Sequence, residues 1–159
     1  MQSDAVEEEG LLLSPYGLAH ALSMLLPGCR QGSDAQQHLL QSIFGNGAWS
    51  IEEASEAMQG LAEVLATKSS SKDVVLDEAN SAWVSPRIVL KKSYEDALKS
   101  YAGADIQKLT SAGVVNSWVA KATHDKITEI IDEGTARQAS LVLINALYFK
   151  GLWAKPFDK

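Results

Sequence analysis

A lone thiol and three imidazoles are the groups in this chain whose chemistry could go beyond solvation. Cys29 with His20, His38 or His124 would make a nucleophile and its base, and such partners need not be close in sequence. Cys29, however, follows Pro27-Gly28 at the end of an apolar run, where a small buried residue is the ordinary occupant. The histidines are too scattered for metal-ligand spacing, and one cysteine supplies neither a disulfide nor a thiolate cluster. Glu52, Glu53 and Glu56 could be paired carboxylates, yet Ser50-Ile51-Glu52-Glu53 reads as a capping box, which makes them helix-start and surface charges. There is no Gly-x-Ser-x-Gly elbow. Gly45-Asn46-Gly47 lacks the spacing and the preceding strand of a phosphate-binding loop. No catalytic residue, cofactor or metal is expected.

The elements that would position these groups are punctuated by their caps. Ser14-Pro15 starts a helix whose Leu18, Ala21, Leu22, Leu25 and Leu26 recur at helical spacing until Pro27-Gly28. Ser33-Asp34 opens a second helix carrying Leu39, Leu40, Ile43 and Phe44, which stops at Gly45. The helix after Ser50 is expected to bury Ala54, Met58, Leu61 and Leu65, and residues 67–72 to form a flexible link. A strand spans residues 74–84 and ends at Ser85-Pro86. A short helix spans 93–101 with Tyr94, Ala97, Leu98 and Tyr101 on one face, and a strand spans 105–109. Val115, Trp118, Val119 and Ala122 mark a further helix, continuing through 123–127 towards Ile130, Ile131 and Gly134. Residues 141–149 form a strand too apolar to alternate, as expected where both faces are covered. The order of elements gives an α+β fold.

Composition narrows the partners. With 46% hydrophobic and 21% charged residues the chain is globular. A formal charge of −6 argues against nucleic acid or anionic membranes. Asp4, Glu7, Glu8 and Glu9 place part of that excess in an acidic N-terminal tail, residues 1–10, ahead of the domain at 11–159. The first ten residues lack the basic start and apolar run of a signal peptide, and no apolar stretch is long enough to span a bilayer. A soluble chain is expected, its compartment open.

The last fifteen residues, NALYFKGLWAKPFDK, resemble the segment of the serpins (serine protease inhibitors) where the third strand of the large central sheet leaves the sheet. Leu13-Ser14-Pro15 resembles the start of the family's helix B, and residues 76–90 its second sheet-A strand and the turn into helix E. Val115-Asn116-Ser117-Trp118-Val119 with Thr123, Lys126 and Ile127 is similar to helix F, and residues 140–157 to the third strand and its exit. These pieces stand in the family's order over residues 11–159. The resemblance implies a partial serpin fold: helices B to F with strands 1–3 of sheet A, lacking sheet B, most of sheet C and the reactive loop.

What the resemblance implies for function is inhibition of a serine or cysteine endopeptidase by insertion of a cleaved reactive loop into sheet A. The loop is expected to be absent here, so this chain alone should be non-inhibitory and contain no reactive centre. The alternative is a truncated, non-inhibitory interaction or remnant protein. Either way, an unpaired apolar strand edge invites self-association. The family's shutter, beneath the centre of the sheet, matches Ser14 and Asn145, and its breach, where the loop enters, matches Trp153, which would also fill core. Asn116, Thr123 and Lys126 match positions near helix F that could gate the sheet. Gly17 stands where the family usually carries a second serine, so a hydroxyl is lost and the helix should lose roughly 1 kcal/mol against alanine. The stretch matching the heparin-binding helix D has Glu52, Glu53, Glu56 and Glu63 against Lys68 alone, so heparin binding is not expected.

Overall fold

The computed structural model describes residues 13–68, 74–153 and 155. The acidic tail, most of the 67–72 link, and Pro156 and Phe157 of the exit turn lie outside the described residues. Among the described residues six helices surround a three-stranded sheet in an α+β arrangement. The helices are α1 (Pro15–Ser23), α2 (Asp34–Phe44), α3 (Ile51–Lys68), α4 (Lys92–Ala102), α5 (Ala112–Ala122) and α6 (Glu133–Gln138). The strands are β1 (Val74–Val84), β2 (Asp105–Lys108) and β3 (Leu141–Gly151).

The helix starts follow local chemistry. Ser14 Oγ accepts from the Gly17 N–H and Ser33 Oγ from the Gln36 N–H, each satisfying a first-turn donor with no helical partner. At Ser50 the capping box is reciprocal: Ser50 Oγ accepts from the Glu53 N–H at 3.1 Å, and Glu53 accepts from the Ser50 N–H at 2.8 Å. The bond from the Ser50 N–H, reinforced by the Ser50 hydroxyl, holds the Glu53 carboxyl below its ordinary pKa. Gly103 closes α4 with φ 57°, the left-handed cap that glycine adopts without strain.

Central β1 pairs parallel with β2 and antiparallel with β3, giving the order β2-β1-β3. One face of the sheet packs against α5 and α6 through Trp83, Val115, Val119 and Ile144. The opposite face meets α1 and α4 through Ala82, Leu143, Met24 and Leu98. Behind this layer, Leu26, Leu40 and Ala54 join α2 and α3 into a smaller core. A strand with a helical layer on each side needs apolar residues at both parities, which is why residues 141–144 do not alternate.

Five expectations change. The apolar stripe drawn on α1 is rotated: Gly17, His20 and Met24 are buried, whereas Leu18 is 63% exposed, because the helix lies close on β3 through its glycine side. Leu61 on α3 is likewise exposed, not core. Thr67 and Lys68, assigned to the flexible link, are the last turn of α3. Finally, α5 ends at Ala122: His124 and Asp125 take positive φ of 50° and 60°, which breaks the helix. Gly134, read as a stop, lies inside α6, a helix too short to show a period.

Candidate functional site

The register of β1 and β3 sets Asn80 opposite Asn145 and Glu78 opposite Leu147, on the face covered by α1. From α1, Tyr16 and His20 stand one turn apart and reach the same place. Their convergence builds a hydrogen-bond network around Glu78. Glu78 Oε1 meets His20 Nδ1 at 2.5 Å and accepts from Asn145 Nδ2 at 2.7 Å, while Oε2 accepts from the Tyr16 hydroxyl at 2.6 Å. Asn145 Nδ2 also donates to Asn80 Oδ1 at 2.9 Å, and Asn80 Nδ2 donates to the Ala102 carbonyl at the end of α4.

The electrostatics follow from this geometry. Burial pushes the Glu78 carboxyl up, but hydrogen bonds from His20, Tyr16 and Asn145 and the electrostatic interaction with His20 outweigh it. Its pKa therefore lies below the ordinary carboxylate value. Burial raises the Tyr16 phenol well above its usual range, reinforced by the Glu78 hydrogen bond and charge, so Tyr16 remains a donor.

Gly17 makes the close approach possible. A Cβ there would stand 2.6 Å from Asn145 Oδ1 and 3.2 Å from Ser14 Oγ. Ser14 and Asn145 thus both border Gly17, but Ser14 is exposed and acts as the cap of α1. Asn145 is half-buried and bonds to β1. The glycine read as a missing hydroxyl and a weaker helix is a contact requirement. Glu78, Asn80, Tyr16 and His20 were not singled out from the sequence as a site. Their signal was present as polar residues at i, i+2 on a strand and i, i+4 on a helix.

The remaining matched residues are dispersed. Asn116 Oδ1 accepts from the Ile130 and Ile131 N–H groups at 3.0 and 3.2 Å, and its Nδ2 donates to the Ile131 carbonyl. Buried Thr123 Oγ1 donates to the Val119 carbonyl and accepts from the Ile127 N–H, so these two side chains fasten the segment after α5. His124 Nε2 lies 2.8 Å from Asp77 of β1 and its ring is 4.3 Å from that of Tyr148 of β3, clasping the same segment to the sheet. Lys126 is exposed. Trp153 is 74% exposed, so it does not fill core among the described residues; it follows β3, where the sheet no longer covers it. Cys29 Sγ faces the Leu25 carbonyl, not an imidazole. Among the described residues no helix is long and apolar enough to cross a membrane.

The whole chain, residues 1–159, matches the family model described as Serpin (serine protease inhibitor). Iripin-2 of Ixodes ricinus is 36% identical over 96% of this chain, and a serine protease inhibitor of Cyanea capillata is 33% identical over 95%. The chain spans about 40% of the length of these relatives, 39% and 41% respectively. Among solved structures, the thermophilic serpin tengpin in the latent state superposes with a TM-score of 0.84 at 22% identity, over 98% of this chain and 42% of tengpin. Arabidopsis AtSerpin1 in the native stressed conformation gives 0.79 at 27% identity, over 98% and 41%.

Proposed function

We propose, for a chain that belongs to the serpin family, that these residues are the sheet-and-helix part of an endopeptidase inhibitor and do not inhibit by themselves. The observation that carries this reading is the third strand. β3 is paired to β1 on one side only among the described residues, and its other edge is where further strands of a wider sheet would add. Inhibition by loop insertion requires that the sheet open beyond β3 and receive a cleaved loop as a new strand. The residues matched to the relatives provide the near side of that opening. In this reading the loop and the strands of the far side come from outside these residues, which is supported by their covering 39% of the length of Iripin-2.

In this reading Asn145, with Glu78 and Asn80, forms the shutter that holds β3 against α1, and Ser14 serves it indirectly by starting the helix. Asn116 and Thr123 set the path of the segment across the sheet, with Lys126 on its solvent side. Trp153 marks the breach. The open apolar edge of β3 favours self-association when nothing covers it.

The test compares the 159-residue polypeptide with the protein as it occurs in its source, each incubated with trypsin, chymotrypsin, elastase, subtilisin and papain. A complex that survives denaturing electrophoresis is expected for a source protein longer than 159 residues, and none for the polypeptide alone. A stable complex with the polypeptide alone would overturn the non-inhibitory reading. Clean degradation of a longer source protein by all five would overturn the inhibitor reading.

A further inference from the structure

The Glu78 network has a second, outward side. Between α3, the end of α4 and β1 lies a cleft of about 340 Å³ lined by Glu63, Glu78, His20, Gln59, Asn80 and Tyr101. We propose that this cleft binds a compact organic cation carrying an amidinium or guanidinium group.

Three properties of the lining select that chemistry. Two acidic residues, Glu63 and Glu78, line the cleft, no lysine or arginine does, and the remaining basic residue, His20, is already paired with Glu78 Oε1. The amide groups nearby each spend one donor on backbone: Gln59 Nε2 donates to the Ser100 carbonyl and Asn80 Nδ2 to the Ala102 carbonyl. Gln59 therefore presents acceptor capacity to a ligand, as does Glu78 Oε2, which accepts one hydrogen bond, from Tyr16, although a carboxylate oxygen can accept two. With His20 already paired, the unshared charge is that of Glu63, and the spare acceptors of Gln59 and Glu78 suit a ligand that donates and carries positive charge. Tyr101 adds an aromatic ring, 38% exposed, on which a flat cation can stack. Amidinium and guanidinium groups combine flatness with a two-donor fork, which a spherical ammonium does not.

Occupancy would be felt by β3. The cation would bond to the same carboxylate that holds Asn145, so a ligand in a cleft between α3, the end of α4 and β1 would draw on the contacts that Glu78 of β1 makes with α1 and β3. This route needs no rearrangement beyond the side chains already in contact.

The experiment is a titration of the full-length protein at low ionic strength, followed by ligand-observed NMR, with benzamidine and with its neutral counterpart benzamide. A capped Gly-Arg-Gly peptide is titrated in parallel, and the tighter of the two cationic probes names the source as a free small molecule or a peptide side chain. Saturable binding of a cationic probe, not benzamide, is expected, weakening as salt is raised. Glu63→Gln, at the rim, should weaken it about two- to fivefold. Glu78→Gln should weaken it at least about tenfold. If Glu78→Gln fails to fold by circular dichroism, Glu63→Gln and Tyr101→Ala decide the matter. Equal binding of benzamide, no saturable cation binding, or parent-like binding by both rim variants would overturn the proposal.

Discussion

One methyl group added at position 17 sets helix propensity against the Glu78 network. On propensity alone Gly17→Ala would stabilise α1 by at most about 1 kcal/mol. The added Cβ would, however, meet Asn145 Oδ1 at 2.6 Å and Ser14 Oγ at 3.2 Å. The Asn145 amide could turn away only by releasing Glu78 Oε1 and Asn80 Oδ1. A hydrogen bond to a charged group contributes about 1.5–3 kcal/mol and one between amides about 0.5–1.5. Their loss, less the propensity gain, leaves a net destabilisation of about 1–3.5 kcal/mol. With Asn145→Ala as background the obstruction is gone, and the same methyl group should be neutral or stabilising by up to about 1 kcal/mol. A double-mutant cycle on urea unfolding, followed by circular dichroism, reads both numbers and their coupling. The reasoning is refuted if Gly17→Ala raises the midpoint in the parent, or lowers it equally in both backgrounds.

The depressed Glu78 pKa carries a second prediction. Its contribution to stability is fully present above the ordinary carboxylate value of 4.5 and is lost as pH falls through the lower folded value. Urea midpoints followed from about pH 6 to about pH 3 should fall more steeply for the parent than for Glu78→Gln, and parallel curves would remove Glu78 from the acid response. The open β3 edge predicts that the 159-residue polypeptide, expressed alone, sediments as a mixture of oligomers. A monodisperse monomer with a sharp thermal transition would contradict that.

Elements with local punctuation were legible in the sequence. Ser14, Ser33 and Ser50 each carry an acceptor that a helix start can use, and each caps one. The strand ending at Val84 and the strand beginning at Leu141 were marked by apolar, β-branched runs that match the observed ends. What failed depends on contacts distant in the chain. The inner face of α1 is set by β3, which lies more than a hundred residues away, so Leu18 looked like core and His20 did not. A glycine in the first turn is a defect by propensity and a requirement by packing, and only the position of Asn145 separates the two. Asn116 is helical as expected and Thr123 lies just past the helix end, but the side chains of both bind backbone groups beyond that end, where the chain reverses through two left-handed residues.

The same network answers a problem that the apolar strand creates. Where one face of a strand is buried, a slip of one residue exposes its apolar set, and this fixes the register. β3 is apolar at both parities, with Leu143 packed on one helical layer and Ile144 in the other, so hydrophobicity discriminates poorly between registers. Asn145 discriminates strongly, since only the observed register brings it opposite Asn80 and within reach of Glu78. Asn145→Val should therefore retain most of the apolar stability while loosening the pairing of β1 with β3. With Cys29 replaced by serine, cysteines at the facing positions Ala79 and Ala146 should cross-link readily in the otherwise unaltered chain. Adding Asn145→Val should lower that yield and raise the yield of a second pair, with cysteines replacing Ala79 and Leu147, one residue out of register. An unchanged pattern of cross-links would mean that packing alone holds the strand, and that the Glu78 network stabilises β3 without positioning it.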